Sequence, residues 1–219
     1  MALTKFNYNS FDVTSAASTA LGFNSSANGF ATISPGSMVL IKTLTASSDS
    51  TLSFVDGSSS VVLDNTYPVY MFKFINIHPS ANQDFQFQVD TGTNTNYNQA
   101  ITSSFFETYH EEDDSDTGLA YRTAGDLAQG TGFQDLSSAI GTNNDNNLSG
   151  TLTLFNPSST TFVKHFISNT NLVYLDRYTL QSFVAGYVNT TTALTRVQFK
   201  MASGNIDAGT IKLYGIKDS

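Results

Sequence analysis

The sequence predicts an all-β protein: a two-sheet antiparallel β-sandwich of jelly-roll type with at most one short helix, closed barrels being the second choice. Three observations carry this prediction. Only 13% of the 219 residues are charged, whereas exposed helix faces are normally laced with Glu, Lys and Arg. Ser, Thr and Asn, the polar residues of strands and turns, make up roughly a third of the chain. Apolar residues recur at every second position in many short runs, the period of a half-buried strand.

The runs follow in order. Residues 1–37 form an N-terminal arm or first strand region. Phe6, Tyr8 and Phe11 give it something to dock on its own domain or a neighbour, while the Ser/Ala/Asn-rich segment from Ser15 to Asn28 has little to bury. From Met38 the strand density is even, so 38–219 reads as one β-sandwich domain. Strands are expected at Met38 to Leu44, Thr51 to Val55, Val61 to Leu63 and Val69 to Ile77. Tyr70 to Ile77 is apolar on both faces, as for a central strand covered on each side by a second sheet or a neighbouring subunit. Asp84 to Asp90 is the clearest case, with Phe85, Phe87 and Val89 on one face and Gln and Asp on the other.

Ala100 to Thr108, Gly150 to Phe155, Thr161 to Ile167, Leu180 to Val188, Arg196 to Met201 and Thr210 to Tyr214 complete about eleven strands. Phe162 to Ile167 carries large groups facing both ways, which suits a strand covered on both faces. Clusters such as Asp56 to Ser60, Thr91 to Asn96, Gly141 to Asn147 and Ser203 to Asn205 supply the turns. Ala124 to Ile140 is the single stretch that reads as helical, and its glycines limit it to a turn or two between strands.

Composition excludes several function classes. With 10 Lys+Arg against 18 Asp+Glu, a net charge of -8 and no basic cluster, nucleic-acid binding is not expected. Zero Cys removes disulfides, Cys-ligated zinc and thiol nucleophiles. No run approaches the roughly 18 apolar residues of a spanning helix, so no membrane insertion is expected. The opening residues lack a basic stretch followed by an apolar core, so the expectation is synthesis in a cytoplasm without a leader.

The densest polar feature is Glu107 to Asp116, six carboxylates in ten residues. Within it Glu111, Glu112, Asp113, Asp114 and Asp116 form a solvated acidic loop, an interface with a neighbouring subunit, or a weak Ca²⁺ site; hard cations prefer oxygen ligands, although the EF-hand pattern is absent. His78, His110 and His165 have no metal-ligand spacing and read as structural. Asp84, Asp90, Glu107 and Asp176 could converge as a carboxylate pair for glycoside hydrolysis, but nothing in the spacing selects them. No nucleophile elbow, Walker A, dinucleotide or zincin motif occurs, so no catalytic residue, cofactor or enzymatic activity is expected. Tyr67, Tyr70, Tyr97, Tyr109, Tyr121, Tyr174, Tyr178 and Tyr187 could stack on sugars or fill subunit contacts. Among them Tyr97, in an Asn/Thr loop, is the candidate exposed aromatic.

Tyr70-Met-Phe-Lys-Phe-Ile-Asn-Ile-His-Pro79, Leu154-Phe-Asn-Pro-Ser-Ser-Thr-Thr-Phe-Val-Lys-His-Phe166, Phe183-Val-Ala-Gly-Tyr187 and Gly209-Thr-Ile-Lys-Leu-Tyr-Gly-Ile216 resemble virion structural proteins of cyanophage-like marine tailed bacteriophages, from about Met38 to the end. The resemblance implies a β-sandwich assembled in many copies on the particle, with no defined catalytic residues. The expected function is that of a capsid-surface decoration or tail-associated subunit, made in the host cytoplasm and residing in the virion. Its partners would be copies of itself, in a trimer or other closed oligomer, and other virion proteins. The alternative is a tail-fibre or adhesion module binding host-surface glycans.

Overall fold

The structure, a computed structural model, describes residues 20–23, 26, 30–33, 37–174 and 177–217. The chain divides into two compact units, Met1–Val39 and Leu40–Ser219. Among the described residues there are fifteen strands and no helix, and therefore none long and apolar enough to cross a membrane. In chain order the strands are β1 (Ala20–Phe23), β2 (Phe30–Ile33), β3 (Met38–Thr45), β4 (Leu52–Val55), β5 (Val69–Pro79), β6 (Phe85–Thr91), β7 (Ile101–Glu111) and β8 (Thr117–Tyr121). They continue with β9 (Ala128–Gly130), β10 (Gln134–Asp135), β11 (Leu148–Phe155), β12 (Lys164–Tyr174), β13 (Tyr178–Val188), β14 (Leu194–Met201) and β15 (Ile206–Ile216).

In the first unit β1 and β2 pair as an antiparallel hairpin with Phe23 stacked on Phe30, centroids 5.3 Å apart. Phe6, Tyr8, Phe11 and most of the Ser15 to Asn28 segment lie outside the described residues.

The second unit holds two larger sheets. The smaller has the order β10-β6-β14-β4 and the larger β3-β15-β5-β11-β12-β13-β7-β8, with β9 on β7. Eight strands pair in nested fashion: β3 with β15, β4 with β14, β5 with β11 and β6 with β10. Two excursions extend the larger sheet beyond this nest, β7 to β9 between β6 and β10, and β12 and β13 between β11 and β14. Their ladders are antiparallel, β12 to β13 without a register shift from Lys164↔Val188 to Tyr174↔Tyr178.

Apolar side chains at alternate positions meet between these sheets. Phe72 and Phe74 of β5 reach Phe54, Phe85 and Phe199, and Phe87 of β6 reaches Phe166 of β12 at 4.9 Å. Several rings cross edge to face, the arrangement favoured by aromatic quadrupoles. A bulge where β15 passes β5 requires Gly209: its φ is +116°, and a Cβ there would sit 2.6 Å from the Asn76 carbonyl oxygen.

Several expectations change. Val61 to Leu63 is buried but is no strand: Val61 exchanges hydrogen bonds with Gly57 and Ser58, and Leu63 N–H donates to Asp56. Its alternation belongs to a loop closing over the core. Ala124 to Ile140 forms β9 and β10 in place of any helical turn. Tyr70, Phe72 and Phe74 are buried, but Met71 and Lys73 are half-buried and Ile75 is exposed, so a second sheet of this chain covers only one face of β5. The same holds for Phe162 to Ile167, where Phe166 is buried while Phe162 and Ile167 are exposed.

Candidate functional site

The excursion strands carry the inner face of the larger sheet onward to a cavity. Along β7 the side chains of Phe105 and Glu107 point inward and are buried, with Tyr109 next in the same row. On the neighbouring β13 the inward row is Tyr178, Leu180 and Ser182, and Tyr174 ends β12 opposite Tyr178 across their hairpin. Together with Asp116, Arg122 and Ser138, members of these rows line a cavity of about 270 Å³.

Its floor is polar. Glu107 is only 8% exposed, and its Oε1 accepts hydrogen bonds from Ser138 Oγ at 2.6 Å and Ser182 Oγ at 3.0 Å. Oε2 faces Arg122 Nη1 at 3.6 Å, and Nη2 of the same guanidinium lies 3.8 Å from Asp84 Oδ1. Arg122 directly follows β8 and is tied down by its own N–H donating to Phe105 O at 2.8 Å, with the guanidinium over the Phe105 ring. Its Nε is buried without a hydrogen-bond partner, an orphan donor of the kind that is rare in folded proteins.

A third carboxylate, Asp135 on β10, accepts from Gln86 Nε2 at 2.7 Å. Burial, opposed by that hydrogen bond and reinforced by the charge of Asp84, pushes Asp135 up to about 6. Burial also raises Asp84, with Arg122 opposing and Glu107 reinforcing. Three carboxylates therefore share the field of one guanidinium.

The walls are aromatic. Tyr109 and Tyr178 meet edge to face at 5.6 Å, and Tyr174 meets Tyr178 at 5.9 Å. Tyr109 Oη donates to Asp116 Oδ2 at 3.0 Å, which raises its phenol. Arg177 lies over the Tyr178 ring at 5.2 Å and bonds Glu111 Oε1 at 2.8 Å. The result is a concave, tyrosine-walled recess with carboxylate acceptors and a guanidinium donor at its base, an arrangement suited to binding a polar organic molecule.

The acidic loop forms the β7–β8 turn, and its members are dispersed among local partners. Glu111 is buried and held by Arg177 and Ser115, and Asp114 pairs with His110 at 2.9 Å. Asp113 takes the Ser115 N–H, Asp116 takes the Tyr109 phenol, and Glu112 is exposed. Among the described residues no three His, Asp or Glu side chains group so as to hold a metal ion.

Tyr97 is a correction: it is 9% exposed, its N–H donates to the buried carboxylate of Asp90, and its ring faces Phe133. Asp90 caps the loop that carries it and so buries the ring. Among the described residues the exposed aromatics are instead Phe23, Phe30, Phe106, Tyr121, Phe155 and Phe162. Of the four carboxylates considered for convergence, Asp84 and Glu107 meet on either side of Arg122, Asp90 is occupied in its own loop, and Asp176 lies outside the described residues. Asp135, Arg122 and Ser138 carried no signal, because strand pairing alone brings them to Glu107. The same-face spacing of Glu107 with Tyr109, and of Tyr178 with Leu180, was readable as period two.

No family model matches the chain, and no curated protein or solved structure matches it.

Proposed function

We propose that this chain is a non-enzymatic structural subunit of a tailed-phage virion, a two-sheet sandwich of jelly-roll type that works through contacts with its own copies and with other particle proteins. The strand order supports the jelly-roll reading. The nested pairs β3–β15, β4–β14, β5–β11 and β6–β10 are those of a long hairpin rolled into two four-stranded layers, an architecture frequent in capsid and lectin domains.

The observation that carries the assembly reading is the outer face of the extended sheet. From β11 through β12, β13, β7 and β8, the outward rows contain no Lys, Arg, Asp or Glu, in a chain whose charge is -8. They present Phe106, Leu119, Tyr121, Phe155 and Ile167 to solvent, and Phe106 stacks on Phe183 at 4.8 Å. Charge depletion with exposed aromatics is the compositional mark of an interface core.

Sedimentation of the purified chain tests the reading. A closed oligomer is expected, and Phe106→Lys with Ile167→Lys should give a folded monomer that melts as the parent does at concentrations too low for association, since both side chains point away from the core. A chain that is monomeric at every concentration overturns it.

A further inference from the structure

We propose that the Glu107–Arg122 cavity is a binding site for a neutral saccharide, taking one pyranose ring at a chain end or branch. The proposal goes beyond the assembly reading and does not rest on it, because the cavity lies on the inner face of the sheet and the uncharged rows lie on the outer one.

The polar groups at the base select the ligand class. A ligand there meets an acceptor, Glu107 Oε2, whose nearest cation stands 3.6 Å away, and a guanidinium whose Nη1 and Nη2 stand 3.6 Å and 3.8 Å from their carboxylates, beyond hydrogen-bond length. It also meets a phenol and a carboxylate joined at the rim, Tyr109 and Asp116. A hydroxyl group donates one hydrogen bond and accepts others, so vicinal hydroxyls can serve the carboxylates and the guanidinium together. An organic cation would suit Glu107, Asp116 and the tyrosine rings but offers Arg122 no acceptor. An anion would suit Arg122 but face Glu107, Asp84 and Asp116. A neutral polyol is the class that meets no unfavourable charge.

The walls select a ring-shaped polyol. A pyranose carries an apolar C–H face beside its hydroxyl edge, and Tyr109, Tyr174 and Tyr178 supply flat apolar surface with polar tips. The volume of about 270 Å³ lies at the small end of ligand pockets, which limits the buried part to about one ring. Glu107 is pre-set by Ser138 and Ser182, and the Arg122 guanidinium by the Phe105 ring beneath it and by Glu107 and Asp84, so little ordering is left for binding to drive.

The chain has no Trp to mask tyrosine emission, and three of its ten tyrosines, Tyr109, Tyr174 and Tyr178, line the cavity. The test titrates the full chain with methyl glycosides of glucose, galactose, mannose, N-acetylglucosamine and rhamnose up to about 100 mM, a range that captures millimolar dissociation constants. Choline is the cationic control and acetate the anionic one. At least one glycoside should bind saturably and more tightly than either control. Arg122→Lys, which keeps the charge but loses the fork, should weaken it by about tenfold or more. Tyr174→Ala, at the half-buried rim where folding is least at risk, should do the same while melting as the parent does. No saturable glycoside overturns the proposal, as does tighter binding of choline or acetate, or affinity unchanged in both variants.

Discussion

At the scale of the residue, Asp135 shows how the recess stores electrostatic tension. Its side chain accepts one hydrogen bond from Gln86, yet burial beside Asp84 and Glu107 raises it to about 6 from an ordinary value of 3.8. The folded chain therefore holds this proton more tightly than the unfolded chain does. Asp135's contribution to stability is complete below about pH 4 and is lost as pH rises through about 6. Asp135→Asn keeps an oxygen for Gln86 and removes the charge. It should raise stability at pH 7–8 by on the order of 1–2 kcal/mol, the gain vanishing near pH 4. Thermal melts of both proteins across that range decide it, and parallel curves would mean that the carboxylate is as well solvated folded as unfolded. Glu111 runs the other way: the Ser115 hydroxyl first, then the Tyr178 phenol and Arg177, hold it below the carboxylate range, so its contribution is present at neutral pH and lost on acidification. The Glu111 shift was not legible in the run of acids from Glu107 to Asp116, because its direction depends in part on Arg177, 66 positions away.

At the scale of the element, β12 and β13 carry the argument. In β12 burial alternates strictly from Lys164 to Leu172, as period two requires of a strand with one face covered. Phe166 sits in the buried row against Phe87, and Gly186 is its partner across the ladder. Phe166→Asp would place an unpaired carboxylate there and should cost more than about 4 kcal/mol, enough to abolish soluble folding; wild-type yield and melting would show the position is not core. A side chain at Gly186 would strike the Phe166 ring and the Thr102 and Ser103 backbone of β7, so Gly186→Ala should lower stability by about 1–3 kcal/mol in a denaturant titration. Long strands such as β6, β14 and β15 were readable because burial of one face imposes alternation on their apolar residues. The short β8 to β10 were not, since Gly, Gln and exposed side chains leave no one-sided row to detect. Val61 to Leu63 imitated a strand because a loop lying over a core also buries every second residue.

At the scale of the whole molecule, what the sequence conceals is pairing. Period two marks which residues share a face, but not that β13 lies between β12 and β7, and the cavity depends on that neighbourhood. Composition, by contrast, bears on the proposed assembly, since low charge leaves the outer rows of β11, β12, β13, β7 and β8 without a carboxylate. The chain carries a charge of -8, so copies brought together through the uncharged rows repel one another through charges elsewhere on their surfaces. Salt screens that repulsion and removes no attraction from an interface that contains no ion pairs. Raising NaCl from about 0.05 M to about 0.5 M, which shrinks the screening length from about 14 Å to about 4 Å, should leave self-association unchanged or strengthen it. Sulfate should strengthen it further by favouring apolar burial. The melting temperature should also climb with protein concentration, as mass action requires when the folded state is the one that associates. Equilibrium sedimentation at the two salt concentrations separates the cases: oligomers that dissociate as salt rises would place the contact at charged groups such as the β7–β8 turn, and the uncharged face would lose its role.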